Sequence, residues 1–456
     1  MYVEKSIKIA LVLGILLLQL TCIPVKAIEN TSADKNNQIL VSEISFEDIL
    51  KKAHEHSYDL KIADYNILIS KQEIRGARSE YFPKLHLQAG TEYTKNFRDN
   101  KDSTVMSIGD AFINPYTRYQ AILGITLTYN LFDFGVRRGN LDIAKEDVEL
   151  KKLEENQRLQ DLDLTLVDTY SKLIIVKKQI EYYNKILNLQ KQNLEFYTRL
   201  YNAKEISKTE LNDAAIKVSQ TQSKISELTG IANETINWLS FYTGENYDIN
   251  NLKITELKKT ELTTYTLNDY TKSIIWKIQE KKIKKKELEL QVAKRTNYPK
   301  INAYSRYYLY GSDKSNYGES FGNIRPSNFT VGGSINMTAF DGMKNRANIQ
   351  KVNLELQQLQ IERDKSIAEF MTKLATMRTN LISINEQLAE NKNIVKELTD
   401  KEKSAKRLSA KRIITPMEEN DIKIELLEQK IEHDKNSITH TAIERGIQIL
   451  TMENWE

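Results

Sequence analysis

The side chains of this sequence that could do chemistry are few and poorly spaced for it. His54 and His56 stand two apart on a helical stretch, so their rings leave on different faces, while His433 and His440 stand seven apart with no acidic partner at metal-ligand spacing. A metal site or an acid–base pair needs such groups to converge, and these read as solvated helix histidines. Cys22 is the one cysteine, which excludes a disulfide framework and any cysteine-based zinc cluster. The chain holds no His-Glu-x-x-His, no phosphate-binding glycine loop and no nucleophile elbow. Lys281 to Lys286 offer a basic strip to an anionic lipid or nucleic acid, yet Glu287 and Glu289 follow at once, the pattern of a solvated helix face. With 66 Lys+Arg against 62 Asp+Glu the net charge is +4, too small an excess for a phosphate-binding surface. No catalytic residue, metal, cofactor or nucleic-acid partner is therefore expected.

What remains is architecture. The chain has 456 residues but only 16 Gly and 6 Pro, so punctuation for short strands and turns is scarce and long helices follow. Leu159, Leu166, Leu173, Ile180, Leu187, Leu194 and Tyr201 form a row at seven-residue spacing, and Ile367, Leu374, Leu381, Leu388 and Val395 form a second. A sustained seven-residue period implies left-handed coiled-coil packing, and about 60 unbroken residues make a helix roughly 90 Å long. Each long helix breaks briefly, around 202–208 and 410–416, before another helical segment. Ser207 and Thr415 are apt N-caps, with Glu210 and Glu418 three residues on at capping-box spacing. Pro416 follows Thr415, where its missing N–H costs nothing.

Self-comparison reveals two copies of one unit. Tyr81-Phe82-Pro83-Lys84-Leu85 returns as Asn297-Tyr298-Pro299-Lys300-Ile301, and Phe132-Asp133-Phe134-Gly135 returns as Phe340-Asp341-Gly342 at an ungapped offset of 208 that also carries Arg199-Leu200 onto Arg407-Leu408. The chain divides into a secretory signal over 1–27, a first repeat over 28–248 and a second over 249–456. The signal shows Lys5 and Lys8 before an apolar stretch from Ile9 to Leu20, with cleavage after Val25-Lys26-Ala27; lipidation of Cys22 stays open. Each repeat has a shorter helix (about 46–80 and 266–296), a strand pair (83–97/120–132 and 299–310/329–340) and a long helical hairpin (140–245 and 347–452).

In the strand pairs the period is two. Leu123, Ile125 and Leu127 alternate with Gly124, Thr126 and Thr128, and Val331 and Ile335 alternate with Gly332, Ser334 and Asn336. One-sided strands of about ten residues have the length of transmembrane β-strands, with Tyr93, Phe97, Tyr119, Phe132, Tyr307 and Tyr310 near their ends as an interfacial girdle. Four strands cannot close a barrel around a channel, and an open edge cannot sit in lipid, so several copies must contribute strands. The segments 98–118 and 311–328, with Pro115 and Pro326, are expected as loops on the outer surface. A mean hydropathy of −0.52 excludes a polytopic helical membrane protein.

In the order, duplication and spacing of its Tyr-Phe-Pro-Lys and Tyr-Pro-Lys strand starts, its Phe-Asp-Phe-Gly and Phe-Asp-Gly strand ends and its hairpin turns, the chain resembles the TolC-like outer-membrane efflux proteins. The resemblance implies a mainly α fold with a transmembrane β part: a homotrimer in which three chains give four strands each to a twelve-stranded outer-membrane barrel, continued by a long periplasmic coiled-coil barrel. It implies a passive conduit for efflux or type I secretion, working with a periplasmic adaptor protein and an inner-membrane transporter of the RND, ABC or MFS type. Leu123, Ile125, Leu127, Val331 and Ile335 would then face outer-membrane lipid. Aligning the turns puts the family's acidic tip constriction on Glu418 and Asp421, with Glu210 and Asp213 as their first-copy partners. The adaptor-contact tips fall on Lys204, Ile206, Ser207, Arg412, Ile414 and Thr415. Here the chain departs from the family: Lys204 and Arg412 occupy turn positions that are usually Gly, and Ile414 occupies that of a basic gating residue. The alternative is a secreted coiled-coil scaffold or adhesin whose hairpins pack without a lumen.

Overall fold

The computed structural model describes residues 43–95, 106–108, 111–113, 119–249, 252–258 and 267–451. The expected signal over 1–27, Phe97 and Pro115 lie outside these residues. The first half runs through β1 (Glu43–Ile44), α1 (Phe46–His56), α2 (Tyr58–Ser79), β2 (Lys84–Tyr93), the small hairpin β3 (Met106–Ile108) and β4 (Ala111–Ile113), β5 (Tyr119–Phe132), α3 (Val136–Asn202) and α4 (Lys208–Thr243). The second runs through β6 (Lys253–Ile254), a 3-10 turn, α5 (Ile274–Arg295), β7 (Lys300–Asp313), α6 (Tyr317–Gly322), β8 (Arg325–Asn336), α7 (Lys344–Ala410) and α8 (Pro416–Thr451). Corresponding helices match in length: 67 residues for α3 and α7, 36 for α4 and α8, 22 for α2 and α5. At 1.5 Å per residue α3 and α7 are each roughly 100 Å long.

Boundaries differ from expectation for local reasons. α3 begins at Val136 and carries Gly139 inside it, because a Cβ there would lie 2.4 Å from Val292 Cγ2 on α5. β8 starts and ends four residues before the expected 329–340, and Pro326 belongs to it rather than to a loop. An edge strand tolerates a proline because its outward N–H has no ladder partner to lose. The strand-to-helix turns consist of two successive left-handed residues, Phe134 and Gly135 (φ 55° and 85°) in the first copy, Gly342 and Met343 (φ 68° and 70°) in the second.

The four long strands form one antiparallel sheet in the order β2-β5-β7-β8, so the sheet follows chain order and leaves β2 and β8 as its edges. Hydrophobic packing concentrates on α3, whose row Leu166, Tyr170, Leu173 and Ile174 meets α1 and α4 in the main core. The Tyr170 hydroxyl donates to the Thr255 carbonyl at 2.6 Å, tying α3 to the β1–β6 ribbon.

Candidate functional site

The sheet presents two chemically different faces. Register pairs Leu87 with Ile125, Ile125 with Tyr307 and Tyr307 with Phe329, so these side chains share one face. Leu123, Ile125 and Leu127 are 36–43% exposed there, and Val331 and Ile335 reach 69% and 72%. The opposite face carries His86, Gln88, Thr126, Thr128, Asn302, Tyr304, Arg306 and Tyr308. On it two tyrosines lie over neighbouring glycines: a Cβ on Gly124 would come 2.6 Å from the Tyr308 ring, and one on Gly332 would come 2.7 Å from the Tyr304 hydroxyl. Such aromatic–glycine pairs help to fix the register of neighbouring strands. Tyr310, in register with Ile122, falls on this polar face rather than in an outer girdle.

At the opposite end of the long helices, the two hairpin turns are built alike. Lys204 and Arg412 take the left-handed conformation (φ 63° and 58°) that glycine would adopt without strain. In each turn the backbone closes two bonds, Lys204 N to Tyr201 O and Glu205 N to Leu200 O, then Arg412 N to Ser409 O and Ile413 N to Leu408 O. This is the paired C-terminal motif that normally recruits Gly. Ile206 and Ile414 lie between these closures and the next caps, Ile414 partly covered and Ile413 beside it 65% exposed. The following helices open with complete capping boxes: Ser207 N and Oγ donate to Glu210 at 2.8 and 2.9 Å, and Thr415 N and Oγ1 donate to Glu418 at 2.8 and 3.0 Å. The backbone and hydroxyl bonds from Ser207 hold the Glu210 carboxyl below its ordinary range.

The four acids expected near the tip are therefore used differently. Glu210 and Glu418 are first of all caps. Asp421 accepts a bond from Asn193 Nδ2 at 3.0 Å, while Asn193 Oδ1 accepts from Asn420 Nδ2 at 2.9 Å, so the Asn193 side chain staples α3 to α8. Tyr197, one turn beyond Asn193, gathers three of the four: burial first, then the charges of Asp421, Glu210 and Asp213, push its phenol pKa up. Asn193 was not singled out in the sequence, although an Asn beside the apolar row at Leu194 is a departure that could have marked it.

Several polar side chains are better held than the sequence suggested. His54 is not simply solvated; its Nε2 lies 2.6 Å from Asp163, a buried carboxylate on α3. His56 packs against Gly244, whose added Cβ would fall 2.5 Å from the ring. His433 and His440 have acidic neighbours after all, Asp434 at 3.2 Å and Glu444 at 3.5 Å. The basic strip Lys281–Lys286 is a clamp rather than a free face: Lys281 and Lys284 bind Glu146 at 2.8 and 2.5 Å, Lys285 binds Asp147, and Lys286 reaches Glu355 on α7 at 3.2 Å.

The junction below the sheet differs between copies. In the first, Arg137 Nε binds the buried Asp133 carboxylate at 3.0 Å and its guanidinium stacks 5.0 Å from the Tyr81 ring centroid. In the second, Asn345 replaces the arginine, and Asp341 is held by backbone N–H groups beside an open cavity of about 490 Å³ lined by Asn297, Phe340, Met343 and Arg346.

Comparison with known proteins agrees with this geometry. Residues 49–245 match the outer membrane efflux protein family. No curated protein matches the chain in sequence. Its fold is similar to that of CusC, whose crystal structures concern folding and transmembrane channel formation, with 14% identity, TM-score 0.72 and coverage of 91% of this chain and 94% of that one. It is also similar to the outer membrane protein VceC of Vibrio cholerae (12% identity, TM-score 0.66, 88% and 95% covered) and to the CmeC outer membrane channel of Campylobacter jejuni (12%, 0.68, 91% and 90%). The resemblance to TolC-like outer-membrane efflux proteins thus holds: the family match falls on the first repeat and the fold likeness spans both.

Proposed function

We propose that this chain is the channel subunit of an outer-membrane efflux or type I secretion system. Three copies each give four strands to a twelve-stranded barrel, and their helices continue it as a periplasmic conduit. One observation carries the reading: a four-stranded sheet with two uncapped edges, apolar and exposed on one face and polar on the other, stands on helices about 100 Å long. Lipid supplies no hydrogen bonds, so both edges require neighbouring strands, and the apolar face has a natural solvent in the bilayer. The polar face then lines a lumen, and transport is passive, with no catalytic residue of its own.

At the far tips, Asp421 with Asp213 and Glu210 near Tyr197 would put acidic groups around a narrow end, with Glu418 above the second turn. Rings of carboxylates favour cations. Lys204, Ile206, Ser207, Arg412, Ile414 and Thr415 form the surface offered to a periplasmic adaptor, which would couple the channel to an inner-membrane RND, ABC or MFS transporter. The test is membrane assembly after replacing Ile125 and Leu127 with Lys. A lysine on the lipid face of a barrel costs about 2–4 kcal/mol near the midplane. The double change should therefore strip the protein from the outer-membrane fraction. A secreted scaffold would tolerate it and remain soluble.

A further inference from the structure

α2 and α5 hold corresponding places, 216 residues apart and 22 residues long each, as α3 and α7 do at 208. Within each repeat the short helix packs on its own long helix, α2 on α3 and α5 on α7. The second face of α5 then packs on α3, forming the seam that joins the two repeats. The second face of α2 and the matching face of α7 are left over: Tyr65, Leu68 and Ile69 are 49–57% exposed, and Leu354 is 64% exposed.

Carrying the internal seam onto these faces by the two offsets gives a set of compensating partners. Glu146 and Lys284, ion-paired at 2.5 Å inside the chain, become Leu354 and Leu68. Lys281 and Lys285 become Tyr65 and Ile69. Gly139, which sits under Val292, becomes Ala347, and Val292 becomes Gly76. The small residue has changed sides, and a Cβ added to Gly76 meets nothing within 4 Å in the single chain. A mid-helix glycine costs up to about 1 kcal/mol against alanine, so a close approach by another backbone gives it a reason to be there.

We infer that copies of this chain join through an apolar seam, α2 of one copy against α7 of the next, built on the plan of the ionic α3–α5 seam inside each chain. The inference rests on the channel reading, because a closed barrel needs several copies. It goes further in naming the contact and its chemistry: inside the chain, Lys281, Lys284 and Lys285 pair with Glu146 and Asp147 beside an apolar cluster of Leu150, Ile274 and Ile278, whereas between copies tyrosine, leucine and isoleucine stand where those lysines do and leucine where Glu146 does. The seam is continuous with the open β2 and β8 edges, since α2 leads into β2 and β8 leads into α7. The two seams differ in kind, which keeps the second face of α2 from taking the place of α5 on α3.

The test exploits a distance. In the internal seam an added Cβ on Gly139 lies 3.8 Å from Val292 Cβ, matching the separation of about 3.8 Å across a disulfide. The full-length protein carrying Gly76→Cys with Ala347→Cys, oxidised in native membranes, should run on denaturing gels at two and three times the chain mass. Each single variant, which controls for Cys22, should not. The internal pair Gly139→Cys with Val292→Cys should close without any gain in mass. Leu354→Glu should remove the oligomer while leaving helix content unchanged, and adding Leu68→Lys should restore it by transplanting the internal ion pair. Absence of cross-links in a protein whose native mass is still oligomeric overturns this seam and leaves the channel reading standing. A monomeric native mass overturns both.

Discussion

α3 and α7 have the same length and the same seven-residue rows, yet α3 buries sixteen residues within the chain and α7 only four. The difference is one of neighbours. α3 is surrounded by α1, α2, α4, α5 and α8, whereas of the helices α7 has α5 and α8. Ile174 on α3 is 5% exposed, and its equivalent on α7, Ile382, is 61% exposed. The seven-residue row alone does not say how many partners a helix has inside the chain, and on the channel reading the rest of α7's partners belong to neighbouring copies.

Substitution at equivalent positions is the sharpest way to break this comparison. Truncating a buried isoleucine costs about 2–5 kcal/mol, so Ile174→Ala should lower stability substantially in urea unfolding. Ile382→Ala should leave helix content intact and instead reduce the oligomeric fraction seen by native mass. Equal losses of folding stability at the two sites would refute the asymmetry. The junctions come next. Arg137→Ala takes the counter-charge from the buried Asp133 carboxylate but leaves it the backbone N–H bonds from residues 135 and 137, so a loss of about 2 kcal/mol in urea unfolding is expected. Asn345→Ala, beside the backbone-held Asp341, should stay within about 0.5 kcal/mol.

A third prediction concerns acid. Burial raises the Glu146 carboxyl pKa, but hydrogen bonds from Lys281 and Lys284 outweigh it and the net shift is downward. A depressed folded value means that the stabilisation is present above the ordinary glutamate range and lost as pH falls through and below it. Hydrogen exchange should therefore show the α3–α5 seam around 140–150 loosening at low pH. The α2–α7 contact, which pairs Leu68 with Leu354, should not respond. A last comparison sharpens the likeness between the tips: Ser207→Ala and Thr415→Ala should each cost about 1 kcal/mol in thermal unfolding. A much larger loss at one tip would mean that the two caps are not equivalent.

The long hairpins, their caps and the alternation of the strands were legible in the sequence because each follows from short-range chemistry: seven-residue rows, Ser207 and Thr415 before glutamates, apolar residues at every second position. The partners of isolated polar residues were not. His54 looked solvated until α1 laid it against Asp163, and the lysines at 281–286 looked like a free face until α5 lay against Glu146 and Asp147. These contacts span more than a hundred residues, and no local period encodes them. The tip acids were found by aligning turns, but spacing alone could not separate a capping duty, which Glu210 and Glu418 perform, from the bond that Asn193 gives to Asp421. Why Lys204 and Arg412 stand where glycine would be unstrained is not explained by their contacts.

The central claim is that copies of this chain enclose a conducting lumen with an acidic narrow end. Conductance of the purified full-length protein in a planar lipid bilayer tests it most directly, with wild type compared against Glu418→Ala combined with Asp421→Ala. The account predicts small, cation-selective steps in wild type that become larger or less selective in the double variant. A protein that stays in water and gives no steps would contradict it.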